Sequence, residues 1–333
     1  MLDNSSILIT GGTGSFGQRF VRTVLGRYRP KRLIVFSRDE LKQYEMQQSF
    51  PEAKFPCMRY FIGDVRDMSR LEMAMREVDY VIHAAALKHV PAAEYNPFEC
   101  VKTNVIGAEN VVNAAIRAHV KKIVALSTDK AANPINLYGA TKLASDKIFV
   151  AGNNLSGFDG PRFSVVRYGN VMGSRGSVVP FWQKLVAEGA TRLPVTDTRM
   201  TRFWITLDQG VDFVLESLDN MIGGEIFVPK LPSMRVTDLA EAILPGCEIE
   251  NVGIRPGEKL HEVMVPRDDA RTTMEFDHKY VIEPAFQFWD REALSGEMRR
   301  KGRMVEENFE YESGTNTVWL QPEQLRDQLR NGL

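Results

Sequence analysis

At 333 residues the chain is long enough for about two domains, and 44% apolar, 9% aromatic and 26% charged residues describe a globular protein, not a disordered or low-complexity one. Lys and Arg total 42 against 43 Asp and Glu, a net charge of −1 that argues against a nucleic-acid partner. Cys57, Cys100 and Cys247 are too few and too scattered for a disulfide framework or a zinc site, and they fit a reducing, cytoplasmic setting. Met1-Leu2-Asp3-Asn4 has no signal-peptide character, and no run is apolar enough to span a membrane, so no membrane partner is expected.

The first strand is read at Ile7–Ile9, followed by Leu33–Phe36, Tyr60–Ile62, Tyr80–Ile82, Ile123–Leu126 and Phe163–Val166. Their apolarity is continuous, which suits strands covered on both faces, and longer helical stretches separate them. That rhythm predicts an α/β fold: a Rossmann-type, doubly wound parallel sheet over residues 1–167. Beyond Tyr168 prolines punctuate shorter elements, so 168–333 reads mainly as a smaller C-terminal α/β substrate-binding domain. Segments near 203–220, such as the helix-like Asp208–Leu218, are expected to pack back on the sheet. Met68, Met73 and Met75 read as helix packing, as do Phe286, Phe288 and Trp289, though these last three suit a subunit contact too. No chemistry is legible from about Pro284 onward.

Between the first strand and an apolar-periodic helix lies Thr10-Gly11-Gly12-Thr13-Gly14-Ser15-Phe16-Gly17. Glycine there allows a tight turn and close approach to a pyrophosphate, which sits at the helix N-terminus. Gly11, Thr13, Gly14, Ser15, Phe16 and Gly17 are therefore cofactor candidates. After the second strand comes Ser37-Arg38-Asp39-Glu40, with Lys42 beyond. An NAD site would place a carboxylate first; Ser37 and Arg38 instead suit a 2′-phosphate, so NADP is expected, with Asp39 and Lys42 beside it. Asp64-Val65 is placed either to touch adenine or, for Asp64, to cap the next helix. Ala84 and Ala85 would let backbone approach the nicotinamide ribose, and Thr103-Asn104 lies on the following helix.

After the fifth strand come Thr128, Asp129 and Lys130, then Tyr138 and Lys142. The last two are four apart and share a helix face. An ammonium near the phenol would lower its pKa, letting Tyr138 take a proton from a substrate alcohol as hydride leaves the carbon. His83, His89 and His261 show no ligand spacing, so no metal is expected.

At these residues the sequence resembles the extended short-chain dehydrogenase/reductases. Ser127-Thr128-Asp129-Lys130-Ala131 with Tyr138-Gly139-Ala140-Thr141-Lys142 is similar to the inverting UDP-N-acetylglucosamine 4,6-dehydratases of pseudaminic acid biosynthesis and flagellin glycosylation. His83–Pro91, Arg167–Val171, Arg199–Phe203 and Arg255–Glu262 resemble the same group. The resemblance implies UDP-GlcNAc as substrate, retained NADP and a homo-oligomer, a dimer or hexamer. It also implies an internal redox cycle in which Tyr138 takes the C4 hydroxyl proton as hydride passes from C4 to NADP, neutral Lys130 removes the C5 proton, Asp129 protonates the departing C6 hydroxyl and Thr128 bonds the C4 oxygen. Burial, Lys142 and the nicotinamide charge would all depress Lys130. Substrate-side candidates are Arg202 and Arg255 for the diphosphate, with Arg199 behind them, and Asn170, Lys88 and Glu258. Glu258 could also form an interdomain pair with Arg255. A nucleotide-sugar 4-epimerase or reductase, needing only Tyr138 and Lys142, is the alternative enzyme; a non-catalytic NADP-binding regulator is the other.

Overall fold

A computed structural model describes residues 1–174, 176–286 and 301–331. The strands are β1 (Ser6–Thr10), β2 (Arg32–Ser37), β3 (Met58–Ile62), β4 (Tyr80–His83), β5 (Lys122–Thr128), β6 (Arg162–Tyr168), β7 (Asn170–Val171), β8 (Arg192–Val195), β9 (Thr201–Ile205), β10 (Ile226–Pro229), β11 (Ser233–Arg235), β12 (Glu248–Asn251), β13 (Val263–Val265), β14 (Thr273–Glu275), β15 (Lys279–Ile282), β16 (Arg303–Met304) and β17 (Tyr311–Glu312). The main sheet runs β16-β14-β15-β10-β6-β5-β4-β1-β2-β3. From β3 to β10 every neighbour is parallel, while β15, β14 and β16 extend the far edge in antiparallel fashion. All six strands read from sequence lie within β1–β6, and the fold is the expected doubly wound α/β type.

Register aligns the carboxyl ends of the central strands. Thr10 of β1 faces His83 of β4, and Thr128 of β5 faces Tyr168 of β6. Their loops therefore open along one edge, where ligands bind in such sheets. The helices that follow are α1 (Ser15–Arg27), α2 (Glu40–Ser49), α3 (Met68–Ala74), α4 (Val90–Tyr95), α5 (Pro97–Val101), α6 (Gly107–Arg117), α7 (Leu137–Ser156), α8 (Val178–Ala187), α9 (Leu207–Asn220) and α10 (Val236–Ile243). A π-turn at Lys102–Ile106 joins α5 to α6. Phe20, Val21 and Val24 of α1 enter the main core beside Leu8 and Ile34. Asp39, Asp67 and Asn136 each cap the helix that follows by accepting a backbone N–H, worth about 1 kcal/mol apiece.

α9 packs on α1, with Arg19–Asp208 and Arg27–Asp212 pairs between them. A reciprocal Thr206–Gln209 capping box starts it. The sheet takes back more of the second half than this helix, because β10, β14, β15 and β16 also join it. Around Trp182, Leu193, Met234 and Leu239 lies a second core. β9 ties the two together: Phe203 and Ile205 face the main core and Trp204 the second, as strand alternation requires. Described residues past 300 complete both cores. Tyr311 is buried against Phe203, and Leu325 and Leu329 of the C-terminal helix Pro322–Asn331 fill the second core. Met75 is buried as expected, but Met73 is 54% exposed on the outer side of α3. Phe286 is also exposed, while Phe288 and Trp289 lie outside the described residues.

Candidate active site

A cleft of about 620 Å³ runs along the carboxyl edge of β1, β2, β4 and β5. Gly11, Thr13, Gly14, Ser15, Phe16 and Gly17 line its floor, and Ser37, Arg38, Asp39, Lys42, Asp64 and Val65 one end. Ala84, Ala85, Lys88, Thr103, Thr128, Lys130, Tyr138 and Lys142 line the other. Every cofactor residue expected from the sequence is thus in one cavity. Gly11 has φ +66°, and a Cβ there would lie 2.8 Å from the Ala85 nitrogen. A Cβ on Gly17 would lie 2.3 Å from the Gly12 oxygen. The N-cap of α1 is Gly14, which has no side chain to cap the helix, and the helix N-terminus lines the cleft, where an anion is favoured. The cradle fits a dinucleotide pyrophosphate.

The ribose end is more tightly paired than its sequence suggested. Ser37 Oγ lies 2.8 Å from Thr13 Oγ1. Asp39 caps α2 and holds the Lys42 amine at 2.7 Å, so it is engaged within its own turn. Arg38, half exposed, stands 3.5 Å from Asp64. Asp64 is not a helix cap: it accepts from the Arg66 backbone and pairs with the Arg66 guanidinium, and Asp67 caps α3 instead. Burial would raise the Asp64 carboxyl, but Arg66 and Arg38 hold it below its ordinary value. Asn104, on the π-turn, clamps both backbone groups of Leu87 at 2.8 and 2.9 Å, fixing the loop after Ala84-Ala85. Thr103 beside it keeps a buried hydroxyl without a hydrogen-bond partner among the described residues.

Catalytic candidates converge where β5 ends. Thr128 Oγ1 donates to Asp129 Oδ1 at 2.9 Å, and Lys130 Nζ donates to the same oxygen at 3.0 Å. Asp129 is fully buried, and its Oδ2 has no partner among the described residues. α7 packs directly on this turn because residue 139 is glycine: a Cβ there would sit 2.2 Å from the Lys130 carbonyl oxygen. That contact places Tyr138 against Thr128 and Lys130. Lys142 is buried and donates to the Leu126 carbonyl at 2.8 Å.

Two protonation expectations need correction. Lys130 was expected to be neutral. Burial does favour the neutral amine, but Asp129 and then Glu262, 3.3 Å away, outweigh it and hold Lys130 charged, above its ordinary range. Tyr138 was expected to be lowered by Lys142. Burial instead pushes its phenol up to about 12; Lys130 and Thr128 pull it down, and Lys142 is committed to Leu126. Lys142 itself is lowered by burial, with Asp146 opposing.

A second cavity of about 490 Å³ adjoins the cleft, and Lys130, Asn170 and Ser177 line both. Arg202, Arg255 and Glu258 line this second cavity, as expected of substrate residues. Arg202 is largely committed: it donates to the Thr201 and Leu260 carbonyls and lies 3.6 Å from Glu262. Arg255 has no ion pair among the described residues; Glu258 meets only its backbone N–H, at 3.4 Å, so the interdomain pair with Glu258 does not form. Arg199 lines neither cavity. It pairs bidentately with Asp197 at the surface, which removes it from the substrate set. Among the described residues Asn170 Oδ1 and Ser177 Oγ are buried without hydrogen-bond partners at the junction, and Ser177 is the N-cap of α8.

Glu262, Ser177 and Lys259, which donates to the Ala132 carbonyl at 2.7 Å, were not singled out by sequence reasoning. Glu262 and Lys259 fall within the Arg255–Glu262 stretch, but their partners are remote in the chain, so spacing carries no signal for them.

The profile of the "Polysaccharide biosynthesis protein" family matches residues 7–284. A Campylobacter jejuni protein described as UDP-N-acetylglucosamine 4,6-dehydratase (inverting) is 57% identical over 98% of this chain and 97% of its own. The X-ray structure of Pen from Bacillus thuringiensis superposes with a TM-score of 0.88 at 35% identity, covering 99% of both chains. DesIV from Streptomyces venezuelae, a dTDP-glucose 4,6-dehydratase solved with NAD and TYD bound, gives 0.68 at 25% identity, covering 77% of this chain and 86% of its own.

Proposed function

This chain belongs to the polysaccharide biosynthesis protein family, within the extended short-chain dehydrogenase/reductases, and from that premise we propose that it is an NADP-dependent, inverting UDP-N-acetylglucosamine 4,6-dehydratase. The product would be UDP-2-acetamido-2,6-dideoxy-β-L-arabino-hex-4-ulose, the first intermediate of pseudaminic acid synthesis. The observation that carries this reading is the position of Lys130, which pairs with Asp129 and lines both cavities. An epimerase would need only Tyr138 and Lys142 and would leave that pair without a task. Arg38 supports NADP over NAD, since a guanidinium at the end of β2 suits a 2′-phosphate.

The sugar ring would lie at the junction, with the diphosphate in the second cavity near Arg255, Asn170 and Ser177. NADP, held by the Gly11–Gly17 loop and the Arg38 end of the cleft, would supply positive charge and reversible hydride transfer beside the sugar. Tyr138, protonated at rest by burial, becomes the base for the C4 hydroxyl once positive charge is added beside it. Asp129 and Lys130 are one coupled pair sharing one proton. With that proton on Asp129, the Lys130 amine removes the proton from C5, acidified by the 4-ketone. Asp129 then gives its proton to the C6 hydroxyl, which leaves as water. Lys130 now holds the proton taken from C5, so the pair again carries one. C5 takes a proton from solvent on the opposite face, which inverts it, and Tyr138 returns the proton of the C4 hydroxyl to solvent.

The test is to incubate the purified protein with UDP-GlcNAc and no added cofactor. Mass spectrometry should show loss of one water, and the nucleotide released on denaturation should be NADP. Recovery of unchanged substrate or a 4-epimer would contradict the proposal.

A further inference from the structure

The Lys130 ammonium lies between two carboxylates, and only one belongs to its own turn. Glu262 comes from the segment leading into β13, which packs beside residues 129–131. Its backbone is fixed in both directions by Ser313: the Glu262 N–H donates to Ser313 Oγ at 2.9 Å, and its carbonyl accepts from the Ser313 N–H at 2.8 Å. Ser313 is in turn held by Thr201, whose hydroxyl also meets His261 Nδ1 at 2.8 Å. The Glu262 side chain is 3% exposed and directs Oε1 to Lys130 at 3.3 Å and Arg202 at 3.6 Å. Its Oε2 is buried with no hydrogen-bond partner among the described residues.

The charged and titratable groups facing Lys130 are Asp129 from its own turn, Glu262 before β13, Arg202 from β9, Lys259 from the preceding loop and Tyr138 from α7. Two carboxylates, Asp129 and Glu262, stand among three cations, Lys130, Arg202 and Lys259. Without Glu262, Asp129 would be the one carboxylate left facing them among the described residues.

We propose that Glu262 is a positioning residue for proton transfer, clamping the Lys130 ammonium and thereby deciding whether Asp129 or Lys130 holds their shared proton. This rests on the reading of that pair as the proton-transfer centre. The sign follows from charge: a carboxylate beside Lys130 favours the proton on the amine, and its removal favours the neutral amine that takes the C5 proton. Glu262→Gln keeps the shape and removes the charge. The neutral amine then forms at lower pH.

The direct readout is acetylation of Lys130 in the full-length protein by acetic anhydride across pH 7–11, followed by mass spectrometry, with exposed Lys184 as internal reference. Access to the amine changes the plateau of labelling, whereas charge changes its midpoint. The wild type should show no midpoint up to about pH 11, whereas Glu262→Gln should show one inside that range. Glu262→Asp, which keeps the charge but withdraws it, should fall between and covers the case in which the amide variant does not fold. In turnover, the pH limb owed to Lys130 should move to lower pH by the same amount. Wild-type midpoints in both variants would overturn the inference. Absence of water loss in the wild type would instead strike the dehydratase reading, leaving the labelling shift to stand or fall separately.

Discussion

The dinucleotide cleft draws its lining from the ends of neighbouring parallel strands and the turns just after them, so residues near in sequence are near in space. The adjoining cavity gathers Asn170, Trp182, Arg202, Met234, Arg255 and Glu262 from elements scattered across the second half of the chain. In the first, a local pattern such as Gly11–Gly17 specifies both the backbone path and the chemistry. In the second, chemistry appears only when β9, α8 and the 255–262 segment are folded against the sheet. Lys130 stands at the border, with one carboxylate supplied by each mode of construction.

Breaking the border should have the largest effect. Lys130→Ala should lower dehydration by about 10²–10⁴-fold while bound NADP is retained, measured by turnover and by nucleotide released from the purified variant. A variant that turns over normally would remove Lys130 from the chemistry. On the cleft side, Arg38→Ala should weaken NADP by about 10- to 100-fold and NAD much less, as read by calorimetric titration of protein stripped of nucleotide. Equal losses would mean that Arg38 does not read the 2′-phosphate. On the cavity side, Arg199→Ala should change kcat/KM for UDP-GlcNAc by about twofold or less, because the residue belongs to an exposed Asp197 pair. A large loss would return Arg199 to the substrate set.

The same contrast explains what the sequence disclosed. β1, β2, β4, β5 and β6 were legible because strands buried on both faces are largely apolar, and the glycine loop because its backbone geometry admits little else; the edge strand β3 is only half-buried. Thr128, Asp129, Lys130, Tyr138 and Lys142 were legible as a group, and Gly139 makes them one by letting α7 rest on the Lys130 carbonyl. Their charge states were not legible. Tyr138 depends on burial, and Lys130 on Glu262, whose side chain arrives from a distant segment. Arg199 looked like Arg202 in sequence, yet one meets Asp197 in solvent and the other turns inward to the Leu260 carbonyl. Past residue 300 no chemical motif is legible, and Tyr311, Leu325 and Leu329 contribute packing.

The central claim is that protons move at C5 and C6 of a nucleotide sugar beside Lys130. Proton NMR of UDP-GlcNAc incubated with the wild-type protein in D₂O tests it most directly. A new C6 methyl signal is expected, a singlet because C5 carries deuterium. An intact C6 hydroxymethyl group, whether with unchanged sugar or a 4-epimer, would contradict it.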